Sequence, residues 1–247
     1  MTERLRISYV VPVHNQAGVL RESAMRLVTR LRDFPGSEAL LIENGSTDES
    51  MQLCVELAQQ LSSGEISLRV AASAKGMGYA LRRGIELAAG DVLVLTASDL
   101  PFGFTDLDAY LATAPRPRLA IGSKAHPQSH TIIPLQRRIM SGAFGLLRRV
   151  TVGLNVRDSQ GTILLDRAVA QSVLPHLRCD DFLISAEIIC WAVRAGVTPV
   201  ELPITYVARG GSTVSPVRDS MRMAGGLLAL RRRLRASRGA DLGAERA

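Results

Sequence analysis

Three polar pairs follow short apolar runs in the first hundred residues: His14-Asn15, Glu43-Asn44 and Ser98-Asp99. Each apolar run has the length and the bounding residues of a β-strand. The carboxyl ends of parallel strands meet at one edge of a sheet, where ligands bind. Three polar pairs meeting there indicate a binding site, although any one of them could be a simple polar loop.

The two carboxylates in these pairs suit a nucleotide diphosphate. Glu43 can accept hydrogen bonds from a base or a ribose, and Gly45 permits a close turn; a turn that caps the next helix is the alternative. Asp99 can hold a divalent cation that bridges two phosphates and eases the departure of a diphosphate. A loop or capping role is the alternative for Asp99.

A further signal, Lys75-Gly76-Met77-Gly78, opens a predicted helix. The glycines would let a ligand come close to the backbone, and Lys75 with the helix N-terminus favours phosphate. The motif is not a Walker loop, because the lysine precedes the glycines, and it lacks the third glycine of a dinucleotide fingerprint.

Apolar periodicity predicts the elements that position these residues. The predicted strands are Leu5–Val13, Ala39–Ile42, Ile66–Ala71 and Asp91–Thr96, and helices are predicted after the first three. Alternation of strands and helices predicts an α/β fold with an open, mainly parallel central sheet and helices on both faces.

The second half of the chain is less regular. Its predicted strands are Leu119–Gly122, Gly161–Leu165 and Val200–Tyr206, and its predicted helices are Arg137–Val150 and Ser185–Arg194. The residues from Val217 to Arg235 predict a basic amphipathic helix, weakened by Gly225-Gly226. We therefore expect one domain over residues 1–215 and a basic helix with a disordered tail over 216–247.

Composition narrows the class of protein. The 247 residues, 47% of them hydrophobic, suit one α/β domain. Apolar runs reach only strand length and no signal peptide is expected, which predicts a cytoplasmic protein. The three widely spaced cysteines predict neither a disulfide framework nor a metal cluster. A net charge of +7 favours an anionic partner, while 4% aromatic residues and no recognition motif argue against nucleic acid.

Taken in order, these motifs resemble glycosyltransferase family 2, and within it the polyprenyl-phosphate (dolichyl-phosphate) mannosyl- and glucosyltransferase group. The resemblance spans roughly residues 5–215. The matching pieces are Val11-Pro12-Val13-His14-Asn15, Glu43 to Asp48, Lys75-Gly76-Met77-Gly78 with Arg82 and Gly84, Gly90-Asp91, Ser98-Asp99-Leu100, Gly122-Ser123-Lys124, Arg137-Arg138, Val156 to Gln160, Glu187, and Val200 to Ile204.

The resemblance implies a GT-A (Rossmann-like) fold, a nucleotide-sugar donor and a set of site residues. The implied donor site contains Pro12, Val13, His14, Asn15, Glu43, Asn44, Lys75, Ser98 and Asp99. The implied catalytic residues are Asp99, Asp158 and Gln160, and the implied acceptor or phosphate site contains Lys124, Arg137, Arg138 and Arg209. Asp99 would be the ligand of a Mg²⁺ or Mn²⁺ ion.

The sequence departs from the family pattern at the metal motif. The family usually has Asp-x-Asp at the end of the fourth strand, whereas Ala97-Ser98-Asp99 retains one carboxylate. The segment after Gln160 also differs, and Ser185 stands where an acidic residue is common. Weak, donor-dependent metal binding and replacement of the metal by arginines are both open readings.

The acceptor decides what chemistry the protein must supply. A polyprenyl phosphate is already ionised near neutral pH, because the second pKa of a phosphate monoester is about 6. A hydroxyl acceptor would need a general base, for which Asp158 and Glu187 are candidates, unless each is paired with an arginine.

We expect an inverting glycosyltransferase with a UDP- or GDP-linked donor and a polyprenyl-phosphate-type acceptor. A soluble small-molecule acceptor, or a non-catalytic sugar-nucleotide-binding module, is the alternative. The basic C-terminal helix predicts a peripheral contact with the inner face of a membrane, or a homodimer contact; packing of its apolar stripe on the domain itself is the other reading.

Overall fold

The computed structural model describes residues 4–207 and 224–237, apart from the side chain of Arg137. Its first half alternates strands and helices as the periodicity predicts. The strands are β1 (Ile7–Val13), β2 (Glu38–Glu43), β3 (Ser67–Ala72) and β4 (Val92–Leu95), and the helices between them are α1 (Ala17–Leu31), α2 (Ser50–Leu61) and α3 (Met77–Leu87).

The second half completes the sheet and adds further helices. Its strands are β5 (Leu119–Gly122), β6 (His130–Ile132), β7 (Ile163–Asp166), β8 (Val200–Leu202) and β9 (Thr205–Val207). Its helices are α4 (Thr105–Ala112), α5 (Leu135–Val152), α6 (Arg167–Val173) followed by a 3₁₀ turn at Leu174–His176, α7 (Ile184–Arg194) and α8, over residues 224–237.

The central sheet has seven strands in the order β3-β2-β1-β4-β7-β5-β8. All neighbouring pairs are parallel except those of β7, which runs antiparallel to β4 and β5. The predicted, mostly parallel α/β sheet is therefore confirmed. Because β7 is reversed, the residues before it lie at the edge where β4 and β5 end, and we call this the carboxyl edge.

Two apolar cores cover the two faces of the sheet, as expected for helices on both sides. Alternate residues of β1 point to opposite cores: Val10 packs with α3 and α7, and Val11 packs with α1, α2 and α4. This alternation follows from the period of two along a strand.

The second half differs from the sequence prediction in several elements. The single strand expected over Val200–Tyr206 is two strands, β8 and β9, which belong to different sheets and are separated at Pro203. Proline lacks the N–H group that a continuous ladder would need. Helices α4 and α6 were not anticipated, because both are short segments with a weak helical period.

Helix α8 packs on the domain. Leu227 and Leu230 are fully buried in the core that α7 also lines, while Leu228 is exposed. The apolar stripe of the basic C-terminal helix is thus used within the molecule. The expected boundary at residues 215 and 216 falls outside the described ranges. None of the helices within those ranges is both long and apolar enough to cross a bilayer.

Candidate active site

Hydrogen bonds join the loops that follow β1 and β2. The N–H of Asn15 donates to Ser46 Oγ at 3.1 Å, and the N–H of Thr47 donates to Asn15 Oδ1 at 2.7 Å. Asn15 has a φ of 53°, in the left-handed region that asparagine tolerates. The Glu43 carboxylate accepts the N–H of Ser46. Asn15 and Glu43 therefore shape the loops of the predicted donor site. One carboxylate oxygen of Glu43 holds the turn after β2, as the alternative reading of this residue expects.

The ends of β1 and β2 present the remaining predicted donor residues. Asn44 follows Glu43 and donates its N–H to the carbonyl of Val13 at 3.0 Å. Pro12 and Val13 belong to β1, with Val13 fully buried. His14 is half-buried, and its Nδ1 atom has no hydrogen-bond partner in the described part of the chain. Most buried polar atoms have a hydrogen-bond partner, so this buried nitrogen is an exception at the edge.

The Lys75 loop lies against the Glu43 turn. Gly45 has a φ of 77°, and a Cβ atom at this position would lie 3.2 Å from the Cβ of Lys75. The exposed Lys75 side chain therefore begins directly above the turn that follows β2.

The two glycines of the Lys75 loop face protein backbone. A Cβ atom would lie 2.4 Å from the Asp180 carbonyl at Gly76 and 1.9 Å from the Cys179 carbonyl at Gly78. The N–H of Gly78 donates to that Asp180 carbonyl at 3.0 Å. Glycine is required here by the chain segment before α7, which is a packing reason separate from the expected approach of a ligand to the backbone.

Asp99 lies at the same edge, after β4. Parallel strands are about 4.8 Å apart, so β2 and β4, on either side of β1, lie about 10 Å from each other. Ser98 is buried and Asp99 is half-buried. The Asp99 side chain makes no hydrogen bond or ion pair with residues 4–207 or 224–237. Glu43 and Asp99 thus border one edge, with Asp99 left for a ligand.

The metal ligands that the protein offers at this edge fit a divalent cation that is held jointly with a diphosphate. No group of three or more histidine, cysteine, aspartate or glutamate side chains that could hold a metal occurs within the described ranges. Asp99 alone supplies a carboxylate, and Mg²⁺ is commonly bound through one or two carboxylates together with substrate phosphates. The residues present do not form a cation cage by themselves.

A cleft of about 1290 Å³ opens beside this edge, between α5 and the loops around β5 and β7. Among its described lining residues are five cationic side chains, Lys124, Arg138, Arg148, Arg149 and Arg157, and two carboxylates, Asp158 and Glu201. Apolar side chains of Ile133, Phe144 and Leu146 complete the wall. The cleft combines positive charge with an apolar side, which suits an anion carrying a hydrocarbon group.

Lys124 and Asp158 form an ion pair in this cleft. Lys124 Nζ lies 3.0 Å from Asp158 Oδ2, which also accepts the backbone N–H of Lys124 at 3.1 Å. The ammonium lies over the rings of Phe102 and Tyr206, 5.4 and 5.9 Å from their centroids. Asp158 Oδ1 accepts the N–H of Gln160 at 2.9 Å. Both carboxylate oxygens of Asp158 therefore already accept hydrogen bonds.

The other candidate base, Glu187, is engaged as well. It is fully buried on α7, where it accepts two backbone N–H groups and pairs with Arg233 of α8 at 2.6 Å. It lies in the interior under α8, enclosed by protein partners. Both acids are therefore ion-paired, as the alternative reading expects. The partner of Glu187 is an arginine, and that of Asp158 is a lysine.

The remaining residues predicted for catalysis or acceptor binding differ in where the structure places them. Gln160 and Arg138 are exposed and line the cleft. Arg137 lies on α5 with a side chain that is not described, and Arg209 lies outside the described residues. The structure therefore brings Lys124, Arg138, Asp158 and Gln160 to one cleft.

Two residues that organise the cleft were not predicted as site residues. Arg148 is almost fully buried and donates to Ser159 Oγ and to the Val156 carbonyl. Glu201 accepts the N–H groups of Arg157 and Asp158 and the hydroxyl of Ser123. On a helical wheel Arg148 lies opposite the apolar residues Leu146 and Val150, which predicts an exposed arginine, so the local pattern did not reveal its burial. Glu201 belongs to the matching family piece Val200 to Ile204, but no role was predicted for it.

A buried carboxyl lies beneath the site. Asp106 is 3% exposed, and this burial raises its pKa, against the hydrogen bond from Thr162 that lowers it. The Thr162 hydroxyl is also 3.4 Å from that of Thr96, which precedes the Asp99 loop. Asp106 thus links α4 to the strand ends below Asp99 and Lys124.

Comparison with known proteins identifies relatives of this chain. The Micrococcus luteus undecaprenyl-phosphate mannosyltransferase is 26% identical over 83% of this chain and 85% of its own length. The Saccharomyces cerevisiae dolichyl-phosphate β-glucosyltransferase is 24% identical over 93% of this chain and 75% of its own length.

Solved structures share the fold. The crystal structure of Mycobacterium tuberculosis glucosyl-3-phosphoglycerate synthase, in complex with Mn²⁺, UDP-glucose and phosphoglyceric acid, superposes with a TM-score of 0.65 at 18% identity, over 93% of this chain and 80% of that one. The family model described as Glycosyl transferase family 2 matches residues 8–169, which include β1 to β7 and the Asp99 loop. The chain therefore belongs to glycosyl transferase family 2 and is a sugar-transferring enzyme.

Proposed function

We propose that this glycosyltransferase moves a sugar, with inversion, from a UDP- or GDP-linked donor to a polyprenyl phosphate. The observation that carries the proposal is the state of the two candidate bases. Asp158 is paired with Lys124, and Glu187 is buried against Arg233. An acceptor that is already ionised needs neither acid as a base, and a phosphate monoester meets that condition above a pH of about 6.

The proposed reaction is a single displacement at the anomeric carbon. An acceptor phosphate oxygen forms the new bond to this carbon, while the bond from the carbon to the donor's diphosphate breaks and the diphosphate leaves with the electron pair. Attack opposite the leaving group inverts the configuration. A bound Mg²⁺ or Mn²⁺ beside Asp99 would neutralise charge on the departing diphosphate.

The protein's own residues then have binding and electrostatic tasks. Pro12, His14, Asn44 and Lys75 would surround the nucleotide and its phosphates, with Ser98 and Asp99 facing the diphosphate. Lys124, Arg138 and Arg148 would reduce the repulsion between two anionic reactants, and Gln160 would line the path between them. Arg137 and Arg209 remain proposed contributors to the acceptor site.

The outer face of α5 supports a lipid acceptor. At about 100° per residue, Leu135, Ile139, Leu146 and Val150 fall within an arc of about 60° on this helix. These four side chains are 64–72% exposed, and the helix carries four arginines and no acidic residue. Such a face suits the boundary of an anionic bilayer.

We therefore propose that the peripheral membrane contact, at the cytoplasmic face, is made through α5. The expected contact through the C-terminal helix has less support, because the apolar residues Leu227 and Leu230 of α8 are buried. Helix α5 also forms a wall of the acceptor cleft, so a lipid chain could leave the cleft directly along it.

The test compares acceptors that differ only in the attacking group. Wild-type enzyme is incubated with UDP-glucose or GDP-mannose, Mn²⁺, and either a polyprenyl phosphate or the matching polyprenol, and the glycolipid is quantified. We expect product from the phosphate alone. Lys124→Met should lower kcat/KM for the phosphate by roughly 30-fold, because the acceptor phosphate loses a nearby cation. Lys124→Arg keeps the positive charge and should retain more activity.

Two results would contradict the proposal. Equal use of the polyprenol would show that the enzyme supplies a base. Transfer to a soluble hydroxyl compound, with none to either lipid, would favour the small-molecule acceptor that the sequence left open.

A further inference from the structure

An ion pair between the partly exposed Arg233 and the buried Glu187 connects α8 to α7. Arg233 of α8 donates to Glu187 Oε1 at 2.6 Å and reaches Cys179 Sγ at 3.3 Å. Glu187 is fully buried on α7. The pairing spans 46 residues, so it is a feature of the tertiary structure.

The same carboxylate holds a backbone segment with its second oxygen. Glu187 Oε2 accepts the N–H of Arg178 at 2.8 Å and that of Cys179 at 2.7 Å. We call residues 178–180 the bridging segment. An apolar residue at position 187 could fill a similar volume, but it would leave two N–H groups, of which that of Cys179 is buried, without an acceptor.

The bridging segment contacts the start of α3 closely. Its carbonyl groups occupy the space that side chains would need at Gly76 and Gly78, and the Asp180 carbonyl accepts the N–H of Gly78 at 3.0 Å. Arg82 of α3 donates to the Cys179 carbonyl at 2.8 Å and pairs with Asp180 at 3.0 Å. Any movement of residues 178–180 must therefore move the loop that carries Lys75.

We infer that Arg233 is a positioning residue for donor binding: through Glu187 and the bridging segment, it fixes the Lys75 loop beside the Glu43 turn. The identity of the ligand rests on the function proposed above, whereas the contact path does not. Helix α8 thereby becomes part of the donor site without touching the donor.

Arg233→Met tests the inference, with Arg232→Met as the matched control. Arg232 is exposed on the same helix, and its replacement removes the same charge. Arg233→Lys keeps the positive charge and should therefore retain part of the wild-type behaviour. Because Arg233→Met leaves a buried carboxylate unpaired, the double variant Arg233→Met with Glu187→Gln provides a protein without that charge.

Hydrogen–deuterium exchange gives the first measurement, without any ligand. In Arg233→Met and in the double variant, we expect faster exchange of the amides in residues 76–83 and 178–180, with unchanged exchange in β1 and β2. Unchanged protection of residues 76–83, or acceleration spread evenly over the molecule, would overturn the inference.

Calorimetric binding of UDP and GDP gives the second measurement. Arg233→Met should lower the affinity for whichever nucleotide the wild-type protein binds by about tenfold. Arg232→Met should leave this affinity unchanged. Unchanged affinity together with faster exchange in the loop would also overturn the role in donor binding. If wild-type protein bound neither nucleotide, the proposed donor would be wrong, and the exchange measurement would still decide whether Arg233 positions the loop.

Discussion

Single residues at the carboxyl edge fall into two groups. Asn15, Glu43 and Asp158 are polar and well placed, yet the protein already uses oxygens of each for its own backbone N–H groups. Asp99 and His14 Nδ1 have no such partner within the described ranges. A polar pair in the sequence therefore marks the site, while the hydrogen bonds decide which member shapes it and which faces a ligand.

Replacement of Asp99 tests its role at the diphosphate. Asp99→Asn should lower the rate of sugar transfer by at least about a hundredfold, because charge stabilisation at the leaving group is lost. The same variant should weaken the dependence of nucleotide binding on Mn²⁺, measured by calorimetry with and without the metal. Asp91→Asn, at the opposite end of β4 in a surface pair with Arg6, is the control and should remain active. Unchanged turnover in Asp99→Asn would remove this residue from the site.

Asp106 predicts a dependence of stability on pH. In the unfolded chain the pKa of its carboxyl is about 3.9, and burial raises this pKa in the folded protein. Between the two values the folded state binds more protons, so the Asp106 contribution to the free energy of unfolding falls as pH rises. Asp106→Asn should therefore gain stability relative to wild type as pH rises from 4 to 8, measured by urea unfolding at each pH. A difference that is constant or shrinks with pH would contradict this prediction.

At the scale of elements, helices α5 and α8 both carry basic and apolar residues. Packing buries apolar residues of α8 and leaves apolar residues of α5 exposed. Helix α8 directs Leu227 and Leu230 into the core. Helix α5 leaves Leu135, Ile139 and Leu146 exposed beside the proposed acceptor cleft. Amphipathicity in the sequence alone identified the C-terminal helix as the membrane candidate, and burial points to α5.

A charge placed on the exposed stripe of α5 tests the proposed membrane contact. Ile139→Glu should reduce sedimentation with vesicles of anionic phospholipid about tenfold or more, since it removes an apolar anchor and adds repulsion. Leu228→Glu, on the exposed side of α8, is the matched control and should sediment like wild type. The reverse pattern, with loss only in Leu228→Glu, would support the C-terminal helix instead. Loss of self-association by Ile139→Glu, without any change in vesicle binding, would identify the stripe as a homodimer surface.

At the scale of the whole molecule, residues far apart in the chain form one core and one edge. The reversed strand β7 places Asp158 and Gln160 beside Lys124, and α8 closes the core near α7. The proposed donor and acceptor regions therefore depend on the same packed sheet. We expect the described regions to unfold as one unit.

Shortening Leu230 tests whether α8 belongs to that unit. Leu230→Ala should lower the free energy of unfolding by about 2–5 kcal/mol, the usual cost of this change in a core. The main urea transition, followed by circular dichroism, should shift accordingly. Leu228→Ala, at a site that is 52% exposed, should change it by less than about 0.5 kcal/mol. A separate early transition in Leu230→Ala, with the main one unchanged, would indicate an independent appendage.

The sequence by itself determined the features that local patterns encode. A period of two with apolar runs predicted β1 to β4, and the polar pairs after these strands predicted an edge carrying Glu43 and Asp99. Motif order gave the family, which the family match confirms. Strand length and pleat need only neighbouring residues, and the strand-helix-strand order along the chain favours parallel pairing.

Only the tertiary structure decided which polar groups are free and which elements meet. The partners of Asp158 and Glu187, the burial of Arg148 and the approach of Asp180 to Gly76 join residues that are far apart in sequence. Such contacts depend on how helices and strands pack, and a local period carries no information about a partner dozens of residues away. The same packing reversed β7 and buried the apolar side of α8, which moved the proposed membrane contact to α5.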